Sequence, residues 1–174
     1  MNIRIIEREL KTKFGNYTEI LYYDGQAESI AILMGNVENE ENILCRIHSS
    51  CISAHVFNSI ECDCREQMDI SQAMIEKAGK GVIIYLDQEG KGNGHLALMK
   101  SIPFKKAGFS QNDAYKMAGY QADARSFRPA AEILTELRVK SVVLITNNPE
   151  KAEDLRRASI NISGTRETKN LAAD

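Results

Sequence analysis

The residues most able to do chemistry are three cysteines in the first half of the chain, Cys51, Cys62 and Cys64, spaced C-x10-C-x-C. Cys62 and Cys64 are one residue apart, and so short a loop strains the geometry of a disulfide bond. Two such thiolates can instead hold one metal ion. Cys51 can join them if the chain folds back on itself.

The spacing leaves three interpretations open. The cysteines can be small buried residues, or they can form a closed structural zinc site with His48 or His55 as the fourth ligand. They can also hold a catalytic zinc ion, whose fourth position is left for water. Because no fourth protein ligand is obvious, the pattern favours the catalytic site.

Length and composition limit the class of protein. With 174 residues, of which 43% are hydrophobic, the chain can bury the core of a single domain. Its net charge of −2 and its lack of tryptophan argue against a polymeric nucleic-acid partner. The charged first ten residues do not resemble a signal peptide, and no apolar run is long enough for a membrane span. Clustered thiols then suit a reducing cytoplasm.

The chain divides into a strand-rich beginning and an alternating remainder. Strands are expected at Ile3–Ile5, Thr18–Tyr23, Ser29–Met34 and Asn42–His48, the last with Cys45 as a core thiol. Next come a helix from N-cap Asp63 to Gly79, a strand at Gly81–Leu86, and helices at 95–107, 110–119 and 128–137. A strand at Ser141–Ile145 and a helix to Ala158 follow. The polar segment after about Ile162 is expected to be a mobile tail.

This order predicts a mixed α/β (α+β) fold, in which N-terminal strands are followed by alternating helices and strands around one mixed sheet. Two loops in it suit an anionic ligand. Residues 87–94 contain three glycines and Lys91, although without the spacing of a P-loop or a dinucleotide-binding motif. The strand ending before Thr146 leads directly into a helix start.

Five motifs carry a resemblance to a known family. They are R-I-H-S-S-C at 46–51, C-D-C at 62–64, Q-E-G at 88–90, A-D-A-R at 122–125 and T-N-N-P-E-K at 146–151. Together they resemble GTP cyclohydrolase II over roughly residues 46–162. The resemblance implies a zinc enzyme of riboflavin synthesis that opens the imidazole ring of GTP and releases formate and pyrophosphate. It also implies a homodimer, and Mg²⁺ on the substrate triphosphate.

The resemblance implies a role for individual residues. Cys51, Cys62 and Cys64 are the zinc ligands, Asp123 is the proton acceptor and Arg125 is the proposed nucleophile. A guanidinium is a poor nucleophile, however, and its charge and fork suit stabilisation of phosphoryl charge. Nucleotide-contacting positions fall on Arg46, Ile47, His48, Ser49, Ser50, Gln67, Glu89, Gly90, Lys91, Gln111, Thr146 and Lys151.

The chemistry of these residues suits the reaction. A carboxylate such as Asp123 can act as a general base, and Gln67 and Glu89 can bind the edge of guanine through paired hydrogen bonds. Structural alternatives stay open. Asp123 and Arg125 can be a solvated loop pair, Thr146 a helix cap and Lys151 a surface charge.

Some residues depart from the pattern of the family. His55 follows Ala54 where the family carries Gly-Asp, Glu61 replaces a basic residue, and Arg65 replaces a glycine. Lys91 replaces an arginine and loses its bidentate fork. Ile102 stands where the resemblance implies a tyrosine.

These departures leave several hypotheses for the function. The chain can complete the reaction on GTP, or stop at a formylamino product. It can instead hydrolyse another nucleotide or nitrogen heterocycle in specialised or catabolic metabolism. A non-catalytic nucleotide-binding protein with a structural zinc is a fourth hypothesis, which His55 as a fourth zinc ligand would favour.

Overall fold

The computed structural model describes residues 1–168, in which one sheet and six helices form a mixed α/β domain, as expected. The strands follow the order β1-β2-β3-β5-β4-β6-β7 across the sheet. Their bounds are β1 Ile3–Thr12, β2 Gly15–Tyr23, β3 Glu28–Met34, β4 Ile43–Ser49, β5 Gly81–Leu86, β6 Val142–Ile145 and β7 Ile162–Arg166. The helices are α1 Ile52–His55, α2 Cys64–Ala78, α3 His95–Lys106, α4 Gln111–Met117, α5 Arg128–Glu136 and α6 Pro149–Arg157.

The sheet is antiparallel on one side and parallel on the other. Short turns join β1, β2 and β3 into an antiparallel meander, and β3 also pairs antiparallel with β5. Helical crossovers join the remaining strands, so β5, β4, β6 and β7 run parallel. The carboxyl ends of β4, β5 and β6 therefore meet at one edge, where ligand sites of such sheets form.

The core lies on both faces of this sheet. Apolar side chains of β4, β5 and β6 pack against α5 and α6 on one face, and a smaller cluster that includes Tyr17, Ile75 and Ile83 packs beside α2 on the other. Cys45 is completely buried in the first cluster, which confirms that it is a core thiol. Gly79 ends α2 in a left-handed conformation with φ of 70°.

Two expectations about elements were wrong. The polar segment after Ile162 is not a tail from that residue on, because Ile162–Arg166 pairs parallel with β6. That pairing satisfies its backbone although Ser163 and Thr165 are polar. Residues 169–174, the rest of the expected tail, lie outside the described residues. The first strand also extends beyond Ile5 to Thr12, because it pairs along most of its length with β2.

No helix in the described part of the chain is long and apolar enough to cross a membrane.

Candidate active site

The three cysteines of the C-x10-C-x-C motif come together at the carboxyl end of β4. Cys51 directly precedes α1, Cys62 lies in the loop after it, and Cys64 is the first residue of α2. All three sulfur atoms lie within 4.8 Å of one another, and those of Cys51 and Cys62 are 3.6 Å apart. Tetrahedral zinc with Zn–S bonds of about 2.3 Å separates its sulfurs by roughly 3.8 Å. The cluster therefore fits a zinc ion.

No histidine among the described residues belongs to this cluster. His48 and His55, the two expected candidates for a fourth ligand, instead face each other with their Nε2 atoms 2.8 Å apart. Three thiols without a fourth protein ligand leave one coordination position for a small molecule. The geometry thus gives no support to a closed structural site.

Two of the three thiols resist loss of their protons. Burial raises the pKa of Cys51 and of Cys64 above the ordinary value, so both thiols are protonated at neutral pH without a metal. Metal binding must release these protons. Because Cys64 begins α2, the free amides and dipole of that helix favour its thiolate.

A cavity of about 450 Å³ opens beside the cysteines. Its walls come from the loops after β4 and β5 and from α3 and α4. The expected site residues that line it are Ser49, Ser50, Cys51, Cys62, Cys64, Glu89, Gly90, Lys91, Gln111 and Arg125, together with Glu61 and Ile102. Much of the sequence-based site is therefore gathered at one place.

The other expected residues lie outside this wall. Arg46, Ile47 and His48 are buried within β4, and Thr146 is buried at the end of β6. His55, Arg65, Gln67, Asp123 and Lys151 also do not line the cavity.

Arg46 forms a supporting layer beneath the cavity. Its guanidinium donates to the backbone carbonyl of Ile145 at 3.1 Å, to the side-chain oxygen of Gln67, and to Nδ1 of His48 at 3.4 Å. These contacts join β4 to β6 and to α2, so Arg46 and Gln67 hold these elements together in this structure.

Asp123 and Arg125 form a two-pronged ion pair. Nε of Arg125 donates to Oδ1 of Asp123 at 2.9 Å, and Nη2 donates to Oδ2 at 2.5 Å. Burial alone would raise the pKa of Asp123, but the hydrogen bonds from Arg125 outweigh it and lower that pKa. The carboxylate is therefore ionised at neutral pH, as a proton acceptor must be.

Lys151 approaches the same region from α6. Its Nζ donates to the backbone carbonyl of Ile47 at 2.9 Å, and it lies 5.6 Å from the centre of the Phe127 ring. Arg125 lies 5.3 Å from the same ring. Burial, together with the charges of Arg46 and Arg125, lowers the pKa of Lys151 to about 7. Lys151 is thus not an ordinary surface charge.

The glycine-rich loop holds the Asp123 loop in place. Gly92 adopts φ of 80°, and a Cβ there would lie 2.7 Å from the carbonyl carbon and oxygen of Ala124. The amide of Ala124 donates to the carbonyl of Lys91 at 2.8 Å. The side-chain amide of Gln88 pairs with the backbone of Ser126 at 2.6 and 3.0 Å. Only glycine allows this close approach.

No functional role was predicted from the sequence for His95 or Tyr115, which both line the cavity. His95, the first residue of α3, has its buried Nδ1 3.9 Å from Oε1 of Glu89 and without a hydrogen-bond partner in the described residues. Tyr115 lines the cavity from α4. Its spacing of four from Gln111 places both on one helix face, and this was the available signal.

The residues that depart from the family pattern have different surroundings. Ile102 lines the cavity beside Leu98 and Met99, which makes that wall apolar. Arg65 donates to the backbone carbonyl of His55 at 3.1 Å, and Nζ of Lys91 donates to Oδ1 of Asn112 at 2.6 Å. Arg65 and His55 therefore shape the loop that carries the three-cysteine cluster, from outside the cavity.

Known proteins resemble this chain over most of its length. The sequence pattern of the family described as GTP cyclohydrolase II matches residues 3–167. The chain is 39% identical over 161 residues to the GTP cyclohydrolase-2 of Archaeoglobus fulgidus, covering 91% of this chain and 42% of that protein. It is 35% identical over 160 residues to the GTP cyclohydrolase-2 of Histophilus somni (strain 2336), covering 91% and 74%.

A solved structure shares the fold. RibBX, a two-domain 3,4-dihydroxy-2-butanone 4-phosphate synthase from A. baumannii, is similar with a TM-score of 0.54 and 15% sequence identity. The similarity covers 95% of this chain and 40% of that one, and at this identity it concerns the fold alone. The match over residues 3–167 with the GTP cyclohydrolase II pattern is the decisive one, and the chain belongs to the GTP cyclohydrolase II family.

Proposed function

We propose that this protein is a zinc-dependent hydrolase that opens the imidazole ring of GTP and releases formate and pyrophosphate, in a riboflavin-type pathway. One observation carries the proposal. The three-cysteine cluster shares a single cavity with cationic side chains of Lys91, Lys105, Lys106 and Arg125. A nucleoside triphosphate needs both a reactive centre for its base and positive charge for its phosphates.

Cys51, Cys62 and Cys64 would hold the zinc ion. When bound, zinc acidifies coordinated water and so supplies a nucleophile for C8 of the purine. Three thiolates donate more charge than three imidazoles, which makes a protein base more useful. Asp123, whose carboxylate is ionised at neutral pH, would act as this base.

Arg125 provides fixed positive charge at the cavity wall. Cleavage of the phosphoanhydride places negative charge on the departing pyrophosphate, and a forked guanidinium stabilises such charge. Because Asp123 holds two of its nitrogens, its orientation is set before the substrate binds. Lys91 and Lys105 add positive charge for the phosphates, which Mg²⁺ would share.

Glu89 suits recognition of the guanine edge. Its side chain is buried, and Oε2 accepts a hydrogen bond from the backbone amide of Ile52 at 2.8 Å. Among the described residues, the ion-pair contacts give Oε1 one neighbour, Nδ1 of His95 at 3.9 Å. This oxygen can accept from a base N–H.

The proposal includes a cytoplasmic homodimer. Val56, Phe57 and Ile60 in the loop of the metal cluster are 63, 71 and 96% exposed. Apolar side chains grouped in this way are typical of surfaces that another subunit covers.

A second candidate is an arrested reaction that leaves a formylamino product. Ile102 favours it, because the wall formed with Leu98 and Met99 has no group that can relay a proton at that position. Lack of turnover of GTP would favour the third hypothesis, another heterocyclic substrate.

The test is incubation of the zinc-loaded protein with GTP and Mg²⁺, with formate and pyrophosphate measured in parallel. Formate and pyrophosphate in equal amounts, both lost in Cys62→Ser, are the expected result. Pyrophosphate without formate would identify the arrested reaction. No turnover by the zinc-loaded protein would refute GTP as the substrate.

A further inference from the structure

Tyr115 presents a phenol to the cavity from a rigid position. The residue is 1% exposed, so its ring is fixed by packing within α4 and its surroundings. Its hydroxyl oxygen would lie 3.4 Å from a Cβ at Gly90, which places the hydroxyl beside the loop that carries Glu89. Both residues line the same cavity.

The hydroxyl has no hydrogen bond to another group of the described residues. The two other fully buried tyrosines differ in this respect. Tyr17 donates to the carbonyl of Gln72 at 3.3 Å, and Tyr22 donates to Glu136 at 2.6 Å. Buried phenols normally find a partner, because an unpaired hydroxyl loses the hydrogen bond that it made to water. The Tyr115 hydroxyl is open to the cavity, so its partner is supplied from there, by water or by a bound molecule.

The chemistry of that partner follows from the protonation state of the phenol. Burial, with the charge of Glu89, raises the pKa of Tyr115 to about 12. The hydroxyl is consequently protonated at neutral pH, and it offers a proton to a neutral or anionic acceptor. Glu89 beside it offers only an acceptor, so the two residues form an adjacent donor and acceptor.

We propose that Tyr115 donates a hydrogen bond to the carbonyl oxygen O6 of a bound guanine, while Glu89 accepts from the neighbouring N–H. A guanine edge carries this acceptor and donor side by side. Tyr115 would thus be a residue of substrate specificity. The inference rests on the proposed function and names how its base is recognised.

The test compares GTP with 6-thio-GTP, which keeps the N–H groups but replaces O6 by the weaker acceptor sulfur. Dissociation constants are measured for both nucleotides on chelator-treated protein, where turnover does not interfere. The variant Tyr115→Phe removes only the hydroxyl. Tyr17→Phe is the matched control, since its buried phenol faces α2 and not the cavity. Thermal unfolding checks that each variant is folded.

We expect wild type and Tyr17→Phe to bind GTP about 3- to 10-fold more tightly than 6-thio-GTP, the effect of one neutral hydrogen bond. Tyr115→Phe should bind both nucleotides with affinities that agree within about twofold. Discrimination by Tyr115→Phe equal to that of wild type would overturn the inference, as would failure of the wild type to bind GTP.

The same samples, loaded with zinc, separate the two proposals. GTP turnover by wild type without any change of discrimination in Tyr115→Phe would refute the role of Tyr115 alone. Discrimination that depends on Tyr115 in a protein without GTP turnover would refute the proposed reaction and support the recognition of the base.

Discussion

His48 and His55 face each other through their Nε2 atoms at 2.8 Å, and only one of them can carry the shared proton. Nδ1 of His48 accepts from Arg46 at 3.4 Å. In its neutral form, His48 therefore donates through Nε2, and His55 is the acceptor. This chain of three side chains fixes the tautomer of both rings beside the metal cluster.

The histidine pair should make stability depend on pH. Burial, then the charge of Arg46, lowers the pKa of His48 to about 2, and burial also lowers the pKa of His55. Below the ordinary value of about 6.5, the unfolded chain binds protons that the folded chain does not. The free energy of unfolding should therefore decrease as the pH is lowered below 6.5. For His48 the decrease is up to about 1.4 kcal/mol per pH unit.

Chemical denaturation between pH 7 and pH 5 measures this slope. It is done with a chelator present, so that proton-coupled loss of metal does not contribute. His48→Gln should show a smaller slope than wild type. Equal slopes for His48→Gln and wild type would contradict the expectation.

Zinc binding should depend on three of the four cysteines. Cys62→Ser is expected to lose most of the one zinc ion per chain, because two thiolates remain of three. Cys45→Ala is the matched control, since Cys45 lies in the apolar core away from the cluster. Metal analysis of the purified variants gives the stoichiometry. Zinc lost in Cys45→Ala but retained in Cys62→Ser would refute this site.

Asp123 should be required for turnover. Asp123→Asn keeps the shape of the side chain but cannot accept a proton, so kcat should fall by about 10²–10⁴-fold. Asp154→Asn, which changes an exposed carboxylate on α6, serves as control. Steady-state assays of pyrophosphate release make the comparison. An Asp123→Asn variant with the kcat of wild type would show that Asp123 only orients Arg125.

The close contact at Gly92 should couple the two loops. In Gly92→Ala the new Cβ would force Ala124 and Arg125 to move, and a shift of about 1 Å at a reacting group can cost about 10²-fold in rate. Gly25→Ala is the control, since Gly25 also has a positive φ of 99°, but a Cβ added there would meet no atom within 4 Å. Both variants should lose some stability from the backbone, measured by thermal unfolding. Only Gly92→Ala should lose kcat/KM.

Lys151 should make substrate binding depend on pH. Its pKa of about 7 means that the free protein loses this positive charge as the pH rises above 7. A bound phosphate favours the charged form, so the KM for GTP should increase between pH 7 and pH 9. In Lys151→Met the KM should be higher at pH 7 and change less with pH. An unaltered profile in Lys151→Met would remove Lys151 from the substrate site.

The sequence allowed the metal cluster and the core strands to be predicted because their signals are local. The C-D-C motif ends in a helix start, and Gly81–Leu86 is an apolar run that the structure confirms with the same bounds. Residues of the glycine-rich loop were expected to contact the nucleotide, and Glu89 and Lys91 line the same cavity as the cysteines.

What the sequence could not provide depends on contacts between distant residues. Strand β7 is polar, and it forms because β6 offers an unpaired edge. Nothing local marks His55 as the partner of His48 and not of the metal. Tyr115 likewise resembles a core aromatic residue on a short helix, and only the packing of α4 against the cavity shows where its hydroxyl lies.

The hydrogen bond from the backbone amide of Ile52 to Glu89 has a thermodynamic consequence. Ile52 directly follows Cys51, so the carboxylate expected to meet the base is tied to a ligand of the metal. A nucleotide that repositions Glu89 must change the affinity of the cysteines for zinc, and zinc must change the affinity for the nucleotide by the same factor. We therefore expect the base and the metal to bind as linked ligands, so that a titration of either reports the presence of the other.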